Sequence, residues 1–164
     1  MAMKRVFIHW TAGTNSPNDT DRKHYHFMVD GEGQVHCGFF TPIANRKCYD
    51  GYYAAHTGGG NTGSIGIALC GMLGFKDKNN IGKYPLKKAQ CEAAFKLVAE
   101  LCKEYSIEIS QKTVMTHKEF GDTNPKSSSY GKIDICCLPD YPEIEVDRIG
   151  DFIRNKIKWY YNHL

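Results

Sequence analysis

Apolar positions along the chain follow two periods, and where one gives way to the other they outline the elements. Residues 4–10 form a short β-type run around Val6-Phe7-Ile8 that stops at the turn-rich Thr11-Ala12-Gly13-Thr14-Asn15-Ser16-Pro17, which puts His9 near the C-terminal end of a strand. Residues 24–40 predict a hairpin with its turn at Asp30-Gly31-Glu32-Gly33. Strict alternation in its first arm sets Tyr25, Phe27 and Val29 on one face and His24, His26 and Met28 on the other, so Tyr25 and His26 are expected to point oppositely unless a bulge intervenes. The polar, glycine-rich stretch 41–63 predicts a long surface loop, and Ser64-Ile65-Gly66-Ile67-Ala68-Leu69-Cys70-Gly71 a central strand covered on both faces.

Helical spacing takes over twice. Ala94, Leu97, Val98, Leu101 and Tyr105 predict a helix between Pro85 and Tyr105, with Pro85 near its first turn, and Val146, Ile149, Ile153, Ile157 and Tyr160 predict a second over 146–160. A third strand is expected over 112–117, ending in His117, and a surface loop over 119–131. Strands interleaved with two long helices predict an α/β fold, a single domain over residues 1–164 with a mixed central β-sheet packed by amphipathic helices.

Composition narrows the options. With 164 residues, 41% hydrophobic and 24% charged, the chain can build a full core without a disulfide or a structural metal. A net charge of +3, dispersed along the sequence, is too weak for a nucleic-acid footprint, so no nucleic-acid partner is expected. The seven cysteines are odd in number and several fall in apolar segments, where they are expected as reduced thiols. The apolar run behind Lys4 and Arg5 is too short for a signal-peptide core and no stretch has the 18 apolar residues a membrane helix needs. Synthesis as a cytoplasmic chain without stable membrane insertion, and a monomer, are the expectations.

Two histidines at predicted strand ends, His9 and His117, and the loop segment Lys132-Ile133-Asp134 could together supply two imidazoles and a carboxylate to a metal. A histidine taken singly is more often a core or surface residue than a ligand. The order of the motifs adds to this: His9-Trp10-Thr11-Ala12-Gly13, then Tyr25-His26-Phe27, then His56-Thr57-Gly58 with Asn61 and Ser64-Ile65-Gly66-Ile67, then Thr116-His117-Lys118-Glu119, then Lys132-Ile133-Asp134. Over nearly the whole chain this resembles the zinc-dependent N-acetylmuramoyl-L-alanine amidases of the type 2 amidase and peptidoglycan-recognition family, including the small bacteriophage lysins.

The resemblance implies a Zn2+ ion held by His9, His117 and Asp134, with Tyr25 and Lys132 as catalytic side chains and His56 and Asn61 near the substrate. Three protein ligands leave a fourth position for water, whose pKa zinc lowers towards ~7. The bond attacked would join N-acetylmuramic acid to the L-alanine of the stem peptide, and the partner would be bacterial peptidoglycan or its muropeptides. Lys132 is expected to stabilise the developing oxyanion; Tyr25 is left between base and orienter of water, the second being favoured because an ordinary phenol is a poor base at neutral pH.

Three departures from the family matter. Ala68 stands where one branch carries a catalytic glutamate, which leaves Tyr25 to fill that role as in the lysins. The lysins usually place a cysteine at the position of Asp134, so Cys136 is a rival third ligand, with Asp134 preferred because the Lys-x-ligand spacing is kept. The 15 residues between His9 and Tyr25 leave no room for the helix many relatives have there, so a more open groove is expected. His24 and His36 are expected on the sheet surface, His26 behind the ligands, and Gly58-Gly59-Gly60 as a flexible loop without the Lys-Ser/Thr of a phosphate cradle. The sequence thus points to a phage or prophage endolysin that reaches the wall after release; a non-catalytic peptidoglycan-binding module on the same fold is the alternative, and a polymerase-regulating interaction protein has no specific support.

Overall fold

A computed structural model describes residues 3–164. Five strands, β1 (Arg5–Trp10), β2 (Phe27–Val29), β3 (Val35–Cys37), β4 (Ser64–Leu69) and β5 (Val114–Thr116), form one sheet in the order β3-β2-β4-β1-β5. β1 lies between β4 and β5 and runs parallel to both; β2 is parallel to β4, and β3 alone is antiparallel. This is the mixed sheet expected. A parallel strand between two neighbours is covered on both faces, which is why β1 and β4 read as nearly unbroken apolar runs.

Alternation divides the two faces. Val6, Ile8, Ile65, Ile67, Leu69 and Val114 face the main core, where α2 (Lys88–Glu104) and α4 (Ile149–Tyr161) cover them with Ala94, Phe95, Val98, Ile149, Ile153 and Ile157. At ~25 cal/mol per Å2, each buried aliphatic side chain there contributes about 2 kcal/mol. The fully buried Gln90 ties the start of α2 to the sheet, donating to the carbonyls of Val29 and Cys70 at 2.9 and 2.8 Å. The opposite face carries Phe7, His9, Met28 and Ala68 and is covered by loops, a 3-10 turn at Pro42–Arg46 and two short α-helices.

Those two helices correct expectations. A helix does fit between His9 and Tyr25: α1 (Asp19–His24) is only six residues long and is started by an Asn18–Asp21 capping box. Part of the segment expected as a loop over 119–131 is also helical, since α3 (His117–Thr123) follows β5 directly. Tyr25 terminates α1 and is not a strand residue, so alternation does not govern it. It packs against Met28, Ala68 and Cys70, on the same side of the sheet as His9. Pro85 stands ahead of the α2 N-cap Lys87, and Val146 lies in an exposed 3-10 turn (Val146–Arg148) ahead of α4. All seven cysteines are free thiols, and no helix among the described residues is long and apolar enough to cross a membrane.

Candidate metal centre

His9, fully buried, leaves β1 one residue before its end on the loop-covered face. On the neighbouring strand, β5 ends at Thr116 and His117 is the first residue of α3. That start is held by a reciprocal cap: Thr116 Oγ1 accepts from the Glu119 amide at 3.1 Å, and Glu119 Oε1 accepts from the Thr116 amide at 3.0 Å. Arg154 of α4, 5% exposed, grips the same Glu119 carboxylate through both terminal nitrogens at 2.9 Å and also donates to the Val114 carbonyl. Asp134 arrives on a loop whose backbone is pinned to the same helix start, its carbonyl accepting from the Lys118 amide at 2.7 Å.

These placements bring three donors together. His9 Nδ1 is 3.1 Å from His117 Nδ1 and 3.0 Å from Asp134 Oδ2, and His117 Nδ1 is 3.3 Å from Asp134 Oδ2. A tetrahedral ion with bonds of ~2.0–2.1 Å needs its ligand atoms ~3.3–3.4 Å apart, so the donor set fits zinc in size as well as type. The three form a buried His-His-Asp group that could hold a metal ion. Burial pushes the His9 imidazole below its ordinary range, against the opposing pull of Asp134. Burial would also raise the Asp134 carboxyl, but the two imidazoles set against it outweigh that and hold the pKa at about 2. A neutral imidazole beside an ionised carboxylate is the donor state a cation requires. Cys136 is not in this group: it packs at the edge of the main core and, with Cys137, lines a separate groove under Pro139 and Tyr141.

A cleft of about 550 Å3 is lined by His117 and Asp134 together with Trp10, Tyr25, Met72 and Phe75, and His9 lies buried beneath it. Exposed Lys132 lies on its rim two residues before Asp134. Tyr25 sits with its ring 5.2 Å from that of His9, and burial pushes its phenol further above its ordinary 10. His24 also lines the cleft, its Nδ1 bonded to the Ala55 carbonyl at 2.9 Å, so it is a cleft residue and not a bystander on the sheet.

His56 lines the cleft, and Asn61 stands behind it. His56 reaches the cleft with one edge, but its Nδ1 and Nε2 are engaged by Thr57 Oγ1 at 2.7 Å and the Ser64 carbonyl at 3.3 Å. Its ring lies against β4 at Gly66, where a Cβ would overlap the imidazole. Asn61 Oδ1 accepts from the His56 and Thr57 amides at 3.0 and 2.8 Å and so shapes the loop that carries His56. His26 stands behind His56, ring centroids 5.6 Å apart, with Nε2 on Asn45 Oδ1 and Nδ1 accepting from the Gly66 amide, both at 2.9 Å. Burial lowers its pKa to about 4. Sequence reasoning missed Arg154 and Asn45; the first had a signal, a lone cation beside Ile153 and Ile157 on the apolar stripe of α4, whereas Asn45 had none.

A family model described as N-acetylmuramoyl-L-alanine amidase matches residues 1–130, a span that holds His9, Tyr25, His56, Asn61 and His117 and stops short of Lys132 and Asp134. No curated protein matches the chain in sequence. Among solved structures, a mutant of PlyL is 21% identical with a TM-score of 0.55, over 96% of this chain and 86% of that one. PlyL itself is 18% identical with a TM-score of 0.54, over 96% and 84%. The N-acetylmuramoyl-L-alanine amidase LysC from Clostridium intestinale URNW is 16% identical with a TM-score of 0.48, over 71% of each chain. At such identities the PlyL likeness is one of fold.

Proposed function

The chain belongs to the N-acetylmuramoyl-L-alanine amidase family, and on that footing we propose that it is a zinc-dependent hydrolase of the amide between N-acetylmuramic acid and L-alanine in bacterial peptidoglycan, of the phage or prophage endolysin type. The observation that carries this is the buried His9–His117–Asp134 group, of which His117 and Asp134 line an open cleft that Lys132 also lines. A bound zinc would supply Lewis acidity to a water molecule and to the scissile carbonyl.

The remaining work falls to the chain's own side chains. The Lys132 ammonium would stabilise the carbonyl oxygen as it gains negative charge, a contact of the kind that contributes ~3–4 kcal/mol to the transition state. Tyr25, its phenol pushed up by burial, keeps its proton at neutral pH and orients the attacking water by hydrogen bonding. Met72, Phe75 and Trp10 exclude water from one side of the bound peptide. The protein acts as a monomer, is made in the cytoplasm and meets the wall after release.

Digestion of purified peptidoglycan with and without a zinc chelator, read by mass spectrometry, tests the proposal. Chelator-sensitive release of intact stem peptides with a free L-alanine amine is the expected result. Binding without cleavage would replace it with a non-catalytic recognition module, and cleavage unaffected by the chelator would remove the metal.

A further inference from the structure

The side of each imidazole turned away from Asp134 is held as closely as the side turned toward it. His117 Nε2 lies 3.0 Å from Ser129 Oγ, and that hydroxyl donates its single hydrogen to the Gly58 carbonyl at 2.7 Å. With its hydrogen committed, Ser129 Oγ can only accept from His117, so Nε2 carries the ring proton and Nδ1 is bare. His9 is set the same way. Its Nε2 is 3.2 Å from Thr57 Oγ1, which is 2.7 Å from His56 Nδ1, while His56 Nε2 faces the Ser64 carbonyl and must donate to it. A neutral His56 therefore accepts at Nδ1 from the Thr57 hydroxyl, and Thr57 accepts from His9 Nε2–H, again leaving Nδ1 bare.

Both hydroxyls come from one pair of interlocked loops. A Cβ on Gly58 would overlap Ser128 Oγ, and one on Gly59 would come within 2.9 Å of Ser127 Cβ. Ser129 is fully buried and Thr57 likewise, so neither hydroxyl is dispensable as a solvated surface group. The run of serines is thus seated on the run of glycines, and the two residues that orient the imidazoles project from this seam.

We propose that Ser129 and Thr57 are positioning residues for the metal, each fixing the tautomer and ring orientation of one imidazole so that its bare Nδ1 faces Asp134; this rests on the zinc-centre reading above. Groups bonded to the far nitrogen of a ligating histidine typically change metal affinity 10–100-fold when lost. Zinc affinity of the full chain, measured by competition with a chromogenic chelator, is expected to fall by that factor in Ser129→Ala and in Thr57→Val and to stay within a few-fold in Thr57→Ser, which restores the hydroxyl. Long-range proton–nitrogen NMR of the metal-free protein gives a second readout: His9 and His117 are expected as single Nε2–H tautomers, with His117 turning to a mixture in Ser129→Ala. Unchanged affinity in both hydroxyl-deleting variants, or mixed tautomers in the unaltered protein, would overturn the proposal. If the unaltered protein binds no zinc at all, the metal reading fails by itself, and the tautomers still decide whether Ser129 and Thr57 position the rings.

Discussion

Acidification should destabilise this protein through His26, and the size of the effect follows from the structure. His26 is 1% exposed and uses both ring nitrogens as a neutral imidazole, and its pKa is lowered from 6.5 to about 4. The unfolded chain takes up its proton near 6.5 and the folded chain only near 4, so the unfolded state binds more protons between these values. Stability is therefore present above pH 6.5, lost as the pH falls, and the loss is complete near pH 4. The full span of about 2.5 pH units corresponds to about 3 kcal/mol, and the drop from pH 7 to pH 5 to about 2 kcal/mol. For a chain of this length that is a fall of about 4–8 °C in melting temperature. Guanidinium unfolding followed by circular dichroism at steps from pH 7 to 4, with a chelator present, measures it. His9 and His56, also pushed down by burial, contribute in the same direction, so the test is a difference. His26→Gln, with a donor and an acceptor but no titrating ring, should be less stable at pH 7 and lose about 2 kcal/mol less than the parent by pH 5. Parallel pH profiles for the two proteins would refute the assignment of His26 as a buried neutral brace.

Replacing Lys132 by alanine should leave zinc binding intact and cut the hydrolysis rate by at least ~100-fold; steady-state kinetics at saturating metal would show a near-normal rate if the oxyanion donor lies elsewhere. Asp134→Ala should lose the metal on dialysis while Cys136→Ala retains it, and elemental analysis of the two proteins distinguishes the candidates. Arg154→Met leaves the Glu119 carboxylate without its buried partner and should cost about 3 kcal/mol in denaturant unfolding. A loss below ~1 kcal/mol would mean that the cap at Thr116 holds without α4.

How much of this could be read from residues alone depended on the length of each element. β1 and β4 were legible because strands covered on both faces carry unbroken apolar runs, and α2 and α4 because four or five turns give the 3.6 period room to repeat. The six residues of α1 and the seven of α3 are too short and polar for a period, and only their caps announce them. Asn18 with Asp21, and Thr116 with Glu119, each show the spacing of a reciprocal cap, which was available in the sequence and decisive for where Tyr25 and His117 sit. The candidate site was legible as a set of residue types at strand ends. That Asp134 and not Cys136 comes to the imidazoles was settled by the loop bonded to Lys118, a contact with no local pattern. Ser129 belongs to a serine run inside the segment expected as a surface loop, and only the glycine seam facing that run explains its burial.

The place of β1 in the sheet also sets a schedule for assembly. The strand is made first, yet both neighbours that hydrogen-bond to it come from residues 64–69 and 114–116, and His9 meets His117 and Asp134 across separations of 108 and 125 residues. Contacts so distant along the chain make for slow closure, because the entropy of the intervening loop must be lost before any pairing compensates it. Until then Val6-Phe7-Ile8 is an apolar segment with two open edges, the kind of stretch that pairs with other chains when concentration is high. A cation gains its full donor set only once β5 and the loop carrying Asp134 have both reached β1, so it acts late in assembly. Yield of the active protein should accordingly respond more to slower synthesis or lower temperature than to metal supplied during expression.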